Sequence, residues 1–368
     1  MLTACTRFGA NPDDAAIKKF AASPQYSISS EYFVNTTPDV IKNMNERSMS
    51  FSLLKEWFFS SNNREPSYKL PEAVPDIQEF IRPSTDLKVI WLGHSTILMN
   101  MSGRIVLFDP VFSGAASPVS FFVQRFQPAA LRLEDLPPVD FIVISHDHYD
   151  HLDMKTVRYF ADKPTEFIVP LGVGSHLKEW GISKNLITEL DWWESTQAKS
   201  ITFTATPAQH FSGRGLSQNK TLWASWVVRD AAHSLFFSGD SGYAEHFKEI
   251  GERFKSFDLA FIETGQYNER WHEVHMLPNE SVQAYFDLNA KSFFPIHWGM
   301  FNLALHDWDE PIKLAAQASK DKNFQLVTPR LGQAIEISSS LKPLHWWTDS
   351  SHPEQLASTP RPVSFENL

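Results

Sequence analysis

The stretch Phe141-Ile142-Val143-Ile144-Ser145-His146-Asp147-His148-Tyr149-Asp150-His151-Leu152-Asp153 decides how the rest of the chain is read. Four consecutive apolar residues bounded by polar ones predict a buried strand that delivers a loop. On an extended backbone, side chains two apart point the same way, so His146 and His148 can grip one ion. Where the chain turns toward a helix expected near Met154, Asp150 and His151 are re-aimed to a second position a few ångströms away. Imidazole and carboxylate are borderline ligands that suit zinc, and also iron, nickel or manganese. Three histidines and an aspartate crowded directly behind an apolar strand point to metal binding rather than to a solvated loop.

Two four-coordinate ions need more donors than this loop holds, and the same arrangement recurs downstream. His210 follows Ile201-Thr202-Phe203-Thr204-Ala205 through a short loop, Asp240 follows Leu235-Phe236-Phe237-Ser238-Gly239, and His297 closes Ser292-Phe293-Phe294-Pro295-Ile296. Each is a ligand-type residue placed just past an apolar run. From Leu87 onward, short apolar runs alternate with helical stretches. Among the expected strands are a single one from Lys88 to Met99, then others at Ile105, Phe141, Glu166, Ser200, Ala224, Ser234, Leu259, Ser292, Gln325 and Ala334. Helices are expected near Met154, His176, Glu245, Asn279 and Glu310. Strand runs before and after helices predict an α+β fold in which two sheets pack face to face with helices outside. Residues 1–84 are polar and turn-rich, and form an N-terminal extension expected to pack on a core domain spanning 85–340. Within it, Phe51, Leu53, Leu54, Trp57, Phe58 and Phe59 are spaced for a short helix with an apolar face, to be buried against the main body or offered to a second copy or a lipid surface. Residues 341–368 form a Ser- and Pro-rich tail, read as a strap or a disordered end.

With these residues in view, His146-x-His148-x-Asp150-His151, joined by His210, Asp240 and His297, resembles the signature of the metallo-β-lactamase fold superfamily. Four finer motifs narrow the likeness: Trp91-Leu92-Gly93-His94-Ser95-Thr96, Phe108-Asp109-Pro110-Val111-Phe112-Ser113, His210-Phe211-Ser212-Gly213-Arg214-Gly215 and Pro295-Ile296-His297-Trp298-Gly299. They resemble the branch that contains the N-acylphosphatidylethanolamine-hydrolysing phospholipase D and its bacterial relatives. The resemblance covers about Tyr32 to Ile337 and implies an αββα sandwich of two mixed sheets with a dinuclear metal site at one edge. It implies one ion on His146, His148 and His210, a second on Asp150, His151 and His297, and Asp240 between them. A carboxylate has two oxygens and can span ions ~3.5–4 Å apart, which supports the bridging role independently. Two divalent ions are therefore expected, zinc first, with manganese, iron or nickel as alternatives, and a water shared between them would be activated near neutral pH.

Other residues carry narrower expectations. Asp109 resembles the aspartate that braces the His-rich loop. His94 is expected as a hydrogen-bonded histidine beneath the site. His275 matches a position over the metals, where with Asp150 it would serve catalysis, and Arg214 could contact a substrate phosphate. The leading activity is hydrolysis of a phosphodiester, including one in a phospholipid. The alternatives are a lactonase-type ester hydrolase of the same fold and a non-catalytic metal-binding envelope or interaction protein.

Composition narrows the partners. The 368 residues carry 33 Lys and Arg against 43 Asp and Glu, a formal net charge of −10, which argues against nucleic acid as the main partner. A small molecule or a phospholipid is the expected substrate, and peripheral membrane contact and a homo-oligomer stay open. The single cysteine, Cys5, excludes an intrachain disulfide, a Cys-rich zinc ribbon or an iron–sulfur cluster, so metal ligands must be His and carboxylate. Leu2-Thr3-Ala4-Cys5 resembles a lipoprotein cleavage box without the apolar segment that should precede it. The compartment therefore reads as cytoplasmic, or as periplasmic and lipid-anchored if Cys5 is acylated.

Overall fold

The structure, a computed structural model, describes residues 6–48, 53, 55–57, 62–215, 217–337, 341 and 343–348. Two short strands, β1 (Tyr26–Ser27) and β2 (Tyr32–Phe33), form a hairpin in the N-terminal segment. The first large sheet uses β3 (Lys88–Trp91), β4 (Ile97–Met101), β5 (Arg104–Phe108), β6 (Phe141–Val143), β7 (Glu166–Pro170) and β8 (Ile187–Leu190). The second uses β9 (Ser195–Ala198), β10 (Ile201–Thr206), β11 (Ser225–Arg229), β12 (Ser234–Phe237), β13 (Leu259–Glu263), β14 (Ser292–Ile296) and β15 (Gln325–Leu326). The last strand, β16 (Ala334–Glu336), returns to the first sheet beside β3. The two orders are β16-β3-β4-β5-β6-β7-β8 and β15-β14-β13-β12-β11-β10-β9. In each sheet one half is antiparallel, and a parallel run follows, β5 to β8 in the first and β12 to β15 in the second.

Strand alternation sorts the side chains into layers. On β6, Phe141 and Val143 face the second sheet, while Ile142 and the following Ile144 face the outer helices. Between the sheets, Phe108 stacks on Phe237 at 4.8 Å and Phe141 meets Phe203 at 5.0 Å. Trp226 crosses the interface and donates its indole N–H to the Ile144 carbonyl at 3.0 Å, so a large buried ring carries no unpaired donor. The outer face of the first sheet is covered by Val157 of the helix Met154–Tyr159 and Leu177 of the helix Gly174–Glu179. On the second sheet, helices His246–Phe254, Pro278–Asp287 and Glu310–Lys322 supply Phe247, Val282 and Ile312. This is an αββα sandwich.

Two features differ from the sequence expectation. The run from Lys88 to Met99 is two strands joined by a tight hairpin, because Gly93 (φ 100°) and His94 (φ 53°) both take left-handed conformations that no single strand allows. Strands β8 and β9 have no counterpart among the expected strands; both are sheet-edge strands with partly exposed side chains, so they lack the continuous apolar run that marks the others. The N-terminal segment contains the helices Asp14–Phe20, Val40–Ser48 and Ile77–Phe80, and sends Phe20, Phe33 and Leu70 into the inter-sheet core cluster. Of the N-terminal aromatic stripe, Leu53 and Trp57 are helical and half-buried, whereas Phe51, Leu54, Phe58 and Phe59 lie outside the described residues. The C-terminal segment straps back as far as Trp346 and Trp347, both buried, with Trp346 continuing a stack formed by Trp91 and Trp298. Residues 349–368 lie outside the described residues.

Candidate metal centre

Every residue singled out for the centre follows a strand that ends at the same edge of the sandwich. Asp109 follows β5, His146 follows β6, His210 lies just past β10, Asp240 past β12 and His297 past β14. Parallel strands bring their carboxyl ends to one side, which is where open α/β sheets place ligands. Two close approaches complete the edge. Gly239 (φ 56°) sits where a Cβ would come within 2.5 Å of Ser145 Cβ, and a Cβ on Gly265 would meet the His297 carbonyl oxygen at 1.7 Å. His297 (φ 64°) and Asp109 (φ 37°) are themselves held left-handed, a strain of ~1–3 kcal/mol each that surrounding structure must maintain.

The donor atoms form two groups that share one residue. His146 Nε2 lies 2.9 Å from His148 Nδ1, and His210 Nε2 lies 3.2 Å from the same atom. Asp240 Oδ2 faces this group, at 3.6 Å from His146 Nε2 and 3.7 Å from His210 Nε2. In the other direction Asp240 Oδ1 lies 3.1 Å from His151 Nε2 and 2.9 Å from His297 Nδ1. Asp150 Oδ2 joins that second group at 3.4 Å from His151 Nε2. Zinc–nitrogen bonds of about 2.0–2.1 Å in tetrahedral geometry put donor atoms about 3.3 Å apart, the range found here. Asp240 thus turns one oxygen to each group, and all seven expected ligands meet at one place.

The chemistry of the donor set fits cations. Burial and the neighbouring imidazoles hold His146 and His210 well below the usual histidine pKa, so both are neutral lone-pair donors. Burial opposes ionisation of Asp240, but His151 and His297 outweigh it and hold the carboxyl well below its ordinary range. For His151 burial again works against charge, yet the carboxylates of Asp240, Asp150 and Asp109 push its pKa well up. His151 Nε2 and Asp240 Oδ1 are buried with no hydrogen-bond partner among the described residues. Buried orphan donors and acceptors are costly unless something else satisfies them, and an ion between the two atoms would do so.

Supporting residues fix the loop from outside. Asp109 accepts the Ser145 N–H at 2.7 Å on one oxygen, and contacts His151 Nδ1 at 2.7 Å and the Ser145 hydroxyl at 2.5 Å with the other. It stands where the sequence placed it, bracing the His-rich loop. His94 is buried beneath the centre with Nε2 3.0 Å from Asp150 Oδ2, and its other nitrogen has no partner among the described residues. Burial lowers its pKa to about 3, so it is a neutral ring that aims Asp150.

Arg214 overturns its expectation. The side chain is buried, and Nη1 donates to the carbonyls of Asp147 and Leu152, both at 2.7 Å, while Nη2 reaches the Arg7 carbonyl at 3.0 Å. The guanidinium lies over the Tyr149 ring at 4.0 Å. Its donors are committed to backbone carbonyls around the His-rich loop, so it shapes the loop and offers no fork to a phosphate.

His275 sits over the centre, half-buried, its ring stacked on His297 at 5.3 Å and edge-on to His210 at 5.1 Å. Its Nδ1 lies 2.5 Å from Oε1 of Glu263, and the ring lies beside Asp240 and His297. Sequence reasoning missed Glu263, which ends β13 inside the protein and also accepts the Ser241 N–H at 2.7 Å. The signal was present: an acid closing the apolar run Leu259-Ala260-Phe261-Ile262 repeats the pattern that identified Asp240. Burial, reinforced by Asp240, pushes the Glu263 pKa well up. Two further residues had no sequence signal. Asp147 pairs with His176 at 3.1 Å and accepts the Gly213 N–H at 2.7 Å. Asn35, in the N-terminal segment, donates to the His210 carbonyl at 2.8 Å and accepts its N–H at 3.0 Å.

A family model described as a beta-lactamase superfamily domain matches residues 104–298, from β5 through the residue after His297. This chain belongs to the metallo-β-lactamase superfamily. It falls in the branch resembling N-acylphosphatidylethanolamine-hydrolysing phospholipase D. An uncharacterized protein of Mycobacterium tuberculosis is 38% identical over 341 residues, covering 91% of this chain and 90% of its own length. The N-acyl-phosphatidylethanolamine-hydrolyzing phospholipase D 1 of Caenorhabditis elegans is 38% identical over 267 residues, 67% of this chain and 75% of that protein. Among solved structures, the metallo hydrolase Igni18 of Ignicoccus hospitalis superposes with a TM-score of 0.55 at 16% identity, over 69% of this chain and 99% of that one, a likeness of fold alone. The protein is a metal-dependent hydrolase of this superfamily, with His and Asp clusters suited to divalent ions.

Proposed function

We propose that the protein is a phosphodiesterase of phospholipase D type, with His146, His148, His210 and Asp240 holding one ion and Asp240, Asp150, His151 and His297 the other. The observation that carries this reading is the division of the Asp240 carboxylate, one oxygen toward each imidazole group. Two divalent ions, zinc first, would supply neutralisation of the phosphoryl oxygens and activation of water for attack at phosphorus. The chain's own residues do the rest. Asp240 fixes the spacing of the two positions. Asp150, aimed by His94, accepts a hydrogen bond from the attacking water and orients it. His275, held through Nδ1 by Glu263, turns its other nitrogen toward the space above the centre, where a leaving oxygen needs a proton. Asp109 and Arg214 keep the loop in the one arrangement that lets these groups converge.

The choice of phosphodiester over other bonds rests on the similarity to the worm phospholipase D. A bis-aryl phosphodiester, an N-acylated phosphatidylethanolamine and a set of lactones, assayed side by side, test it. Turnover of the two phosphodiesters is expected, with phosphatidic acid as the lipid product. Turnover of lactones alone would refute the assignment while leaving a hydrolase of the same fold. Metal content without turnover of any ester would favour a binding role instead.

A further inference from the structure

Among the described residues, the loop 117–122 carries a cluster of exposed apolar side chains. Phe121 is 71% exposed and Phe122 58%, their rings touching at 4.9 Å, and Val119 beside them is also exposed. The N-terminal turn Thr6–Phe8 adjoins this loop: Arg7 donates to the Pro118 carbonyl at 3.1 Å, and the exposed Phe8 lies against Gly215. Between the loop and the helix Met154–Tyr159 runs a groove of about 520 Å³ lined by Arg7, Ser117, Ser120, Tyr149, Lys155 and Arg158 among others. Lys155 and Arg158 are exposed, and none of Arg7, Lys155 and Arg158 has an ion-pair partner among the described residues. The acid in this lining, Asp153, is buried, with Oδ2 accepting from the N–H groups of Phe112 and Ser113 and the Thr156 hydroxyl, and Oδ1 from the Ser113 hydroxyl and the Lys155 N–H. A chain with net charge −10 therefore presents a cationic groove bordered by solvent-facing phenylalanines.

We infer that this face docks on an anionic phospholipid surface, with Phe121 and Phe122 entering the interfacial layer and Arg7, Lys155 and Arg158 lying against lipid phosphates. Exposed aromatic side chains with adjacent unpaired cations are the combination that interfacial binding needs, since apolar insertion and attraction to anionic headgroups add. One placement supports the assignment. Tyr149, which lines the groove, stands in the chain between His148 and Asp150, so the docked face adjoins the metal edge. The inference names a surface and stands whichever ester the centre cleaves.

Co-sedimentation of the full chain with vesicles tests it. Vesicles of phosphatidylcholine containing about 30% phosphatidylglycerol should bind the protein at least about tenfold more tightly than phosphatidylcholine alone, and about 0.5 M salt should remove that preference. F121S/F122S should weaken binding to the anionic vesicles about tenfold or more, and K155E/R158E should abolish the preference for them. Both variants should keep the parent's thermal midpoint and its turnover of a soluble phosphodiester. Failure of the parent to sediment with anionic vesicles, or binding by both variants equal to the parent's, overturns the inference. So does a parent dimer in sedimentation velocity that F121S/F122S dissolves, since the patch would then be a contact between copies. If the parent binds vesicles but turns over no phosphodiester, the surface stands and the proposed activity does not.

Discussion

What each side chain faces decides what it can do in the centre. Asp240→Asn keeps the shape and removes the charge that both imidazole groups face, so it should drop bound metal from two equivalents to one or fewer. Turnover should fall by about a thousandfold or more while the circular dichroism spectrum is retained. Metal content by mass spectrometry on the purified variant reads the first effect directly. Glu263→Gln tests a different link. Its amide still fills the buried site but holds the His275 ring less strongly, so kcat should drop about 10- to 100-fold with metal content and KM near those of the parent. Loss of metal in that variant would make Glu263 a support of the centre itself rather than of His275. Asp109→Asn leaves His151 Nδ1 and the Ser145 hydroxyl with a poorer acceptor, and a chelator competition should show metal affinity weaker by about 10- to 100-fold.

Elements explain why most of this could be read from the sequence. Ligand residues recur immediately after apolar strands, because the strands lie parallel and end at one edge; His146, His210, Asp240 and His297 carry that pattern on the page. Glu263 carries it too, yet an isolated acid closing a strand has no partner in the sequence to distinguish it from a turn residue. Arg214 shows the opposite failure. A cation between two glycines resembles a phosphate contact, and only the fold reveals that backbone carbonyls of Asp147 and Leu152 occupy it. The polar edge strands β8 and β9 were illegible because their stability comes from ladder hydrogen bonds with apolar neighbours rather than from their own side chains. The N-terminal segment hides a further dependence. Its Asn35 clasps the backbone of His210 from a distance no local pattern encodes. Asn35→Ala leaves that buried N–H and carbonyl unpaired and should cost about 1–3 kcal/mol in stability, seen as a lowered thermal midpoint, together with weaker retention of metal against a chelator. An unchanged midpoint and unchanged retention would make the N-terminal segment a passive cover.

For the molecule as a whole, the two sheets bury a shared aromatic core that the apolar runs announce, while the centre's polar groups gather at its rim. Stability should depend on pH through groups the core keeps neutral. His246 is buried beside Phe247 and bonded to the Ser241 hydroxyl, and burial lowers its pKa from 6.5 to about 3. Between those values the unfolded chain binds a proton that the folded chain refuses. The full stability therefore exists above about pH 6.5 and declines as pH falls toward 3, by about 1.4 kcal/mol per pH unit for this one group. Urea titrations from pH 7 to 4 should show the slope, and His246→Gln should flatten it; an identical slope in the variant would assign the pH dependence to other groups.

In the proposed centre one carboxylate, Asp240, stands between two cations. Anomalous diffraction from crystals of the zinc-loaded protein locates the ions directly. Two peaks about 3.5–4 Å apart, one on each side of Asp240 with His146, His148 and His210 around the first and Asp150, His151 and His297 around the second, are the predicted result. A single peak, or a pair not shared by Asp240, would contradict it.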